Sequence, residues 1–416
     1  MASASNQLPL SDIKVLDLTR LLPGGFCSLL LADLGADVVK LEDTGMGDYV
    51  RWAPPFYGSE QQQALGTRSA LYLALNRGKR SIRVDLKSGG GREAFLRLAG
   101  EYDVVLEGYR PGVLGRLGCG YEALREANPR LVYCAITGYG QTGPNTQRAG
   151  HDMNYLGLTG LLGMTGEPGG RPIQSAGQIA DLGGGGLMAG FGVLAALRER
   201  ERSGEGQLVD VSMTDGALAW LAMVAAAFLC DGRVPGRGDG QLNGGFLCYY
   251  PYEASDGWVT CGALEPKFWR AFCEGVGRED LIEAQFQPPG SDAWRTVADV
   301  FRSRTRDGWR AFNDEHDAMI EPVLGLDEAL ASELVREREM VVELEQPGLG
   351  PVRLLGLPIK LSRTPGDATR PAPALGEHTE EVLREAGFDG DEVGALLGSG
   401  AVAGPSEAVE AGRFMG

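Results

Sequence analysis

Short aliphatic runs alternate with helix-length segments through the first 210 residues, and no other feature constrains the fold as much. Ile13–Leu18 (IKVLDL), Ala36–Glu42 (ADVVKLE), Ser81–Lys87 (SIRVDLK), Asp103–Gly108 (DVVLEG), Leu131–Thr137 (LVYCAIT) and Gln207–Met213 (QLVDVSM) read as strands. Among them GGFCSLLLADLG, ending at Gly35, GREAFLRLAGEY and YEALREAN read as helices, and a longer one is expected over Gly183–Glu201. Strands separated by helices mean βαβ units and a parallel sheet. Right-handed crossovers then make the layer doubly wound and Rossmann-like.

At 416 residues the chain is too long for one ordinary core. After Asp231 the composition shifts. DGRVPGRGDGQLNGG reads as a loop, and FLCYYPYEASDGWVTCGAL as a β-hairpin turning at Ser255-Asp256-Gly257. The expected organisation is an α/β protein. Residues 1–214 form the first part of a large domain, 215–244 a linker helix and loop, and 245–335 a smaller α+β domain. Residues 336–416 return to complete the large domain. The Pro/Gly/Ala-rich tail reads as partly disordered.

A net charge of −17 argues against nucleic acid or an anionic membrane as partner, while leaving room for a local basic pocket. The seven cysteines are scattered without CxxC spacing, which fits reduced thiols and no metal site. MASASNQLPLSD lacks the pattern of a secretory signal. The apolar run Ala217–Cys230 is short of a bilayer span and reads as a buried helix. A cytoplasmic location is expected.

TRLLPGGFC follows the first strand in place of G-x-G-x-x-G, and no Walker pattern is present. The chemistry must lie elsewhere. His151, one of three histidines, stands in RAGHDMNYLGLTG beside Asp152. It follows a glycine-rich loop, GYGQTGPNTQRAG, at the C-terminal end of an expected parallel strand, where open α/β sheets bind ligands. Asp181 precedes a run of four glycines in QIADLGGGGLMAG. A helix N-cap explains an aspartate there, but not so many glycines, each less favourable to helix by about 1 kcal/mol than alanine. Backbone that must come close to a ligand explains them. Free N–H groups at a helix start suit an oxyanion. An imidazole, a carboxylate and backbone donors could invert a stereocentre beside a carbonyl. The carboxylate alone could instead attack an activated acyl group.

KVLDLTRLLPGGFCSLLLADLGADVVKLED, ALNRGKRSIRVDLK, EGYRPGVLGRLGCGYEAL, GHDMNYLGLTG, GQIADLGGGGLMAGFGVLAAL, SGEGQLVDVSM and GEHTEEVL occur in an order that resembles the family III CoA-transferase superfamily, and within it the α-methylacyl-CoA racemases. The resemblance implies a Rossmann-like large domain, a small domain and an interlocked homodimer with active sites shared between subunits. It implies His151 and Asp181 as the two bases, with Glu265 in CGALEPKFW pairing with the histidine. It implies an enolate held by backbone groups at Asp181 and Gly183. Arg51, Arg77, Lys79, Arg80, Arg110 and Arg116 would hold the CoA phosphates, with Asp152 and Tyr155 also at the substrate. Met153, Met164 and Met188 would supply a pliable apolar wall. The reaction implied is racemisation of a 2-methylacyl-CoA. It needs no cofactor beyond the coenzyme A of the substrate and no metal, because the thioester acidifies the α-proton. True transferases of the superfamily use the matching aspartate as nucleophile and generally lack the histidine, so CoA transfer through an Asp181 anhydride is the alternative. A non-catalytic acyl-CoA-binding protein is a further one. His316 and His378 receive no catalytic role.

Overall fold

The computed structural model describes residues 8–59 and 67–405. The tail residues 406–416, and residues 1–7 of the N-terminal stretch, lie outside them. The described chain divides into two compact units. One is built from residues up to 159, 177–219 and from 334 onward, the other from 160–176 and 220–333. The segment 160–176, which follows the His151 helix directly, thus groups with the second unit.

In the first unit, the described residues form a seven-stranded sheet. Its strands are β1 (Lys14–Asp17), β2 (Asp37–Glu42), β3 (Arg80–Val84), β4 (Val104–Glu107), β5 (Val132–Thr137) and β6 (Leu208–Ser212), with the short strand Val402–Ala403 at one edge. From that edge strand the order continues β3-β2-β1-β4-β5-β6. All pairings are parallel except that of the edge strand with β3. The central strands are aliphatic on both faces because both faces are covered: every residue of β4 and β5 is buried. Helix α1 (Leu21–Asp33) covers one face together with the helical run Ile179–Ser203. Phe95, Leu98, Leu124, Leu383 and Phe388 fill the other face against Val105, Tyr133 and Ile82.

Four expected phosphate ligands have a different role. Arg51 donates to Glu42 through Nε and Nη2 at 2.8 and 2.6 Å. Arg77 grips Asp33 the same way, and Lys79 reaches Asp17 at 3.2 Å. The side chains of this trio are no more than 3% exposed. Arg80 bridges Asp37, Glu381 and Glu385. These cations tie strand ends together, since a buried charge needs a carboxylate partner; they do not present charge to a phosphate.

The run Ile179–Ser203 starts earlier than expected and begins as a π-helix, Ile179–Leu187, before becoming α-helical at Met188. It is long and apolar enough to cross a bilayer, but half of it is buried within the unit. Gly184 and Gly185 meet the helix Met213–Ala219, and Gly186 meets Pro23 and Phe26 of α1. A Cβ on Gly216 would lie 2.2 Å from the Gly184 carbonyl oxygen, and one on Gly184 would lie 2.8 Å from the Ala217 nitrogen. Only hydrogen fits between two backbones so close.

The second unit holds an antiparallel sheet of β7 (Tyr249–Ala254), β8 (Gly257–Gly262) and β9 (Ile320–Pro322), with the expected hairpin joining β7 to β8. Helices Pro266–Gly275, Asp292–Arg302 and Arg306–His316 pack on it. The core is aromatic: Trp269, Phe272, Phe301 and Trp309 are fully buried, and Tyr252 stacks on Phe301 at 4.4 Å.

Gly216→Ala should therefore destabilise the first unit by at least the upper end of the about 1–3 kcal/mol that overpacking costs. A lower midpoint of urea unfolding would register it; an unchanged midpoint would show that the two helices can separate freely.

Candidate active site

In this strand order the chain leaves β1 toward β2 on one side, while β4 lies on its other side. Crossovers diverge at that point and leave a crevice beyond the C-terminal strand ends, where open α/β sheets bind ligands. A cavity of about 460 Å³ lies there. Thr19, Arg20 and Leu21 line it from the end of β1, Gly108 to Pro111 from the end of β4, and Ile136 to Gly138 from the end of β5. His151, Asn154, Tyr155, Asp181 and Met213 complete it with Arg148.

Local chemistry holds each side chain in place. His151 is the N-cap of helix Asp152–Leu158. Its backbone N–H donates to Asn154 Oδ1 at 3.0 Å, and the Asn154 N–H returns to the His151 carbonyl at 2.8 Å. This leaves the imidazole exposed at the cavity. The buried Tyr155 hydroxyl donates to the Gly150 carbonyl, one residue before His151. The Tyr139 ring meets Tyr155 edge-on at 5.3 Å. A Cβ on Gly138 or Gly150 would stand 2.7 Å from the Tyr155 ring. The loop is glycine-rich at its ends because this tyrosine fills the space.

Asp152 is buried and faces the π-helix. Its Oδ1 accepts from the N–H groups of Ala180 and Asp181 at 2.6 and 3.0 Å. Asp181 therefore sits in the first turn of the wide helix, after Gln178 as N-cap, and is not itself the cap. Its N–H is taken by Asp152 and is not free for an oxyanion, which corrects that expectation; Gly183 is not among the residues lining the cavity. Burial pushes the Asp181 carboxyl up to about 6, the Asp152 carboxylate adds to the rise, and His151 opposes it. A π-turn that carries a perturbed carboxyl into a cavity is a common mark of a functional site.

Of the other expected residues, Arg110 lines the cavity. Arg116 ends the short helix Val113–Arg116 and is exposed. Glu265 lies in the second unit, exposed, as the N-cap of Pro266–Gly275. Met164 also lies in the second unit. Met153 and Met188 do not line the cavity; its methionine is Met213. His378 starts the helix Thr379–Glu385 and accepts from the Ser81 N–H through Nδ1 at 3.3 Å, a packing role. Arg20, Thr137, Asn154 and Arg148 were missed. Arg148 stands in the very stretch that holds His151, but a cation without a partner in sequence gives no signal of its own. Among the described residues no group of three His, Cys, Asp or Glu is placed to hold a metal ion.

The model of CoA-transferase family III matches residues 10–379. The chain is 37% identical to the alpha-methylacyl-CoA racemase of Mus musculus over 92% of its own length and 95% of that protein. It is also 37% identical to the succinyl-CoA:mesaconate CoA-transferase of Haloarcula marismortui, over 91% and 97%. A crystal structure of a CAIB/BAIF family protein from Brucella suis superposes with a TM-score of 0.78 at 31% identity, over 91% of this chain and all of that one.

The Asp181 carboxyl should titrate near 6, and Asp152→Asn should move it down by removing the neighbouring negative charge. Because its folded value lies above the ordinary 3.8, the folded state holds a proton that the unfolded chain has lost. Its contribution to stability therefore grows as pH falls from above 6 toward 4. Carboxyl ¹³C shifts of Asp-labelled protein, assigned with Asp181→Asn, report this directly; a midpoint at the ordinary value would refute it.

Proposed function

The chain belongs to CoA-transferase family III, and we propose that it inverts the α-carbon of 2-methylacyl-CoA thioesters by two-base proton transfer. What carries this reading is that His151 and Asp181 line one cavity at the sheet's switch point. One of them takes the α-proton and the electron pair moves into the thioester carbonyl, giving an enolate. The protonated form of the other returns a proton to the opposite face of the α-carbon. Asp181 suits either part, since a carboxyl near 6 exchanges its proton readily around neutrality. Asp152 positions it by fixing its backbone.

The reading includes a homodimer, with Glu265 acting across it. Support comes from helix Ala222–Asp231, which is apolar yet has no buried residue; Met223, Phe228 and Leu229 are 53%, 43% and 80% exposed. An apolar surface of that kind marks an interaction site.

A second reading is CoA transfer, with Asp181 attacking the thioester and CoA leaving as thiolate. It is favoured by the equal identity to a racemase and to a transferase. It predicts an enzyme-bound acyl anhydride that hydroxylamine traps as hydroxamate, and racemisation predicts none.

Incubation of one enantiomer of a 2-methylacyl-CoA in deuterated water, without an acceptor acid, separates the two. Deuterium gain with loss of enantiomeric purity is expected. His151→Ala and Asp181→Asn should each slow it by at least about 100-fold; wild-type rates in both would sink the assignment. In sedimentation, Leu229→Asp should convert a dimer to a monomer, and a wild-type monomer would remove the dimer from this reading.

A further inference from the structure

Four buried carboxylates of the first unit face a cation: Asp17 meets Lys79, Asp33 meets Arg77, Glu42 meets Arg51 and Asp48 meets Lys40. Glu107, the last residue of β4, is 4% exposed and is held differently. Its Oε2 accepts from the Tyr109 N–H at 2.7 Å. The Tyr133 hydroxyl on β5 also donates to its carboxylate. Among the described residues no lysine, arginine or histidine acts on it. A buried acid among neutral donors is costly to ionise, and those donors decide how costly.

The register explains the arrangement. Glu107 stands opposite Ala135 on β5, while Val105, two residues back on the same face, stands opposite Tyr133. The alanine leaves space, and the Tyr133 side chain reaches along the sheet face to the carboxyl. Beyond Glu107 the chain leaves the sheet, and Gly108, Tyr109, Arg110 and Pro111 become one wall of the cavity. The bond from the Tyr109 N–H back to the Glu107 side chain closes the first turn of that wall. Across the switch point stands Arg20, at the end of β1. Burial raises the Tyr109 hydroxyl and Arg20 opposes the rise, so the two side chains face each other over the crevice.

We infer that Glu107 is a positioning residue for this wall, and that the proton it takes or gives up sets how firmly the wall holds an acyl-CoA. This rests on the reading of the cavity as an acyl-CoA site. As a carboxylate, Glu107 accepts from both donors, and a bond to an ionised acceptor is roughly twice as strong as a neutral one. As a carboxylic acid it keeps one good acceptor oxygen and gains an O–H. The Tyr133 hydroxyl can rotate and accept that O–H. The Tyr109 N–H is fixed in the backbone and is left with a neutral partner. Burial pushes the Glu107 carboxyl up to about 7, with the Tyr109 N–H and the Tyr133 hydroxyl opposing. The exchange therefore falls at neutral pH, with the acid below and the carboxylate above. Among the described residues, the titratable groups that face it are Tyr109 from its own segment and Tyr133 and Cys134 from β5. Burial lifts all three, so they stay neutral across this range. Cys119, raised as well, lies beside Tyr133, and the charge of Arg20 lies beyond Tyr109.

The test is calorimetric titration of the full chain with CoA from about pH 6 to about pH 8.5, wild type beside Glu107→Gln. Glutamine keeps an acceptor for the Tyr109 N–H but cannot ionise. Relative to the variant, wild type should bind about threefold or more tighter at the alkaline end than at the acid end. The midpoint of that change should lie near 7. Dependence carried by His151, Asp181 or the ligand's phosphates remains in the variant and cancels in the ratio. In turnover of 2-methylbutanoyl-CoA the difference should appear in KM and not in kcat. Tyr133→Phe removes one donor to the carboxylate and should move the midpoint upward. A ratio of wild-type to variant affinity that does not change with pH would overturn the inference. So would an unmoved midpoint in Tyr133→Phe, which serves where Glu107→Gln does not fold. The same mixtures in deuterated water separate this inference from the reading beneath it. A pH-dependent ratio without α-deuteration keeps the role of Glu107 and removes racemisation. α-Deuteration with a flat ratio removes the role and keeps racemisation, and a chain that binds neither CoA nor its thioester at any pH removes both.

Discussion

The carboxylate of Asp17, at the end of β1, holds the structure on which the cavity depends. Its Oδ1 accepts from the Thr19 N–H at 2.9 Å and from the Thr19 hydroxyl. Its Oδ2 accepts from Ser28 on α1 and from Lys79 just before β3. Burial alone would raise its pKa, but Lys79, Lys40 and the Ser28 and Thr19 hydroxyls together hold it down at about 2. It is thus charged at ordinary pH. The corner it fixes is narrow: a Cβ on Gly24 would overlap Thr19 at 2.2 Å, and Leu21 adopts a left-handed φ of 60°. Thr19, Arg20 and Leu21 all line the cavity. A strained, non-glycine corner persists only when its surroundings over-determine it. Here Asp48 accepts from the Leu21 N–H while pairing with Lys40.

The parts of this design that are local in sequence were legible, and the parts that arise from contact were not. Strand and helix alternation is a local pattern, and it located β1 to β6 within a residue or two at most ends. The crevice followed from topology, so a histidine just beyond β5 could be assigned to it. The role of the basic residues could not be read. NRGKR looks like an exposed turn until Asp33 and Asp17, dozens of residues away, are seen beneath it. The π-turn was hidden for a related reason. A run of glycines between apolar residues has no helical period that distinguishes a wide turn from an ordinary one. The glycines themselves answer to a contact across the fold, Gly216 pressed on Gly184. Asp181 consequently looked like a helix cap, although Asp152 had already taken its N–H.

Asp152 has two effects on Asp181 that pull the same way. Its hydrogen bonds hold the first turn of the wide helix, and its charge disfavours a second negative charge nearby. A carboxyl kept near 6 by burial and a like charge is poised between acid and base at ordinary pH. The histidine across the cavity opposes the rise. A carboxyl raised in this way can give a proton as well as take one, which either direction of a two-base inversion asks of it.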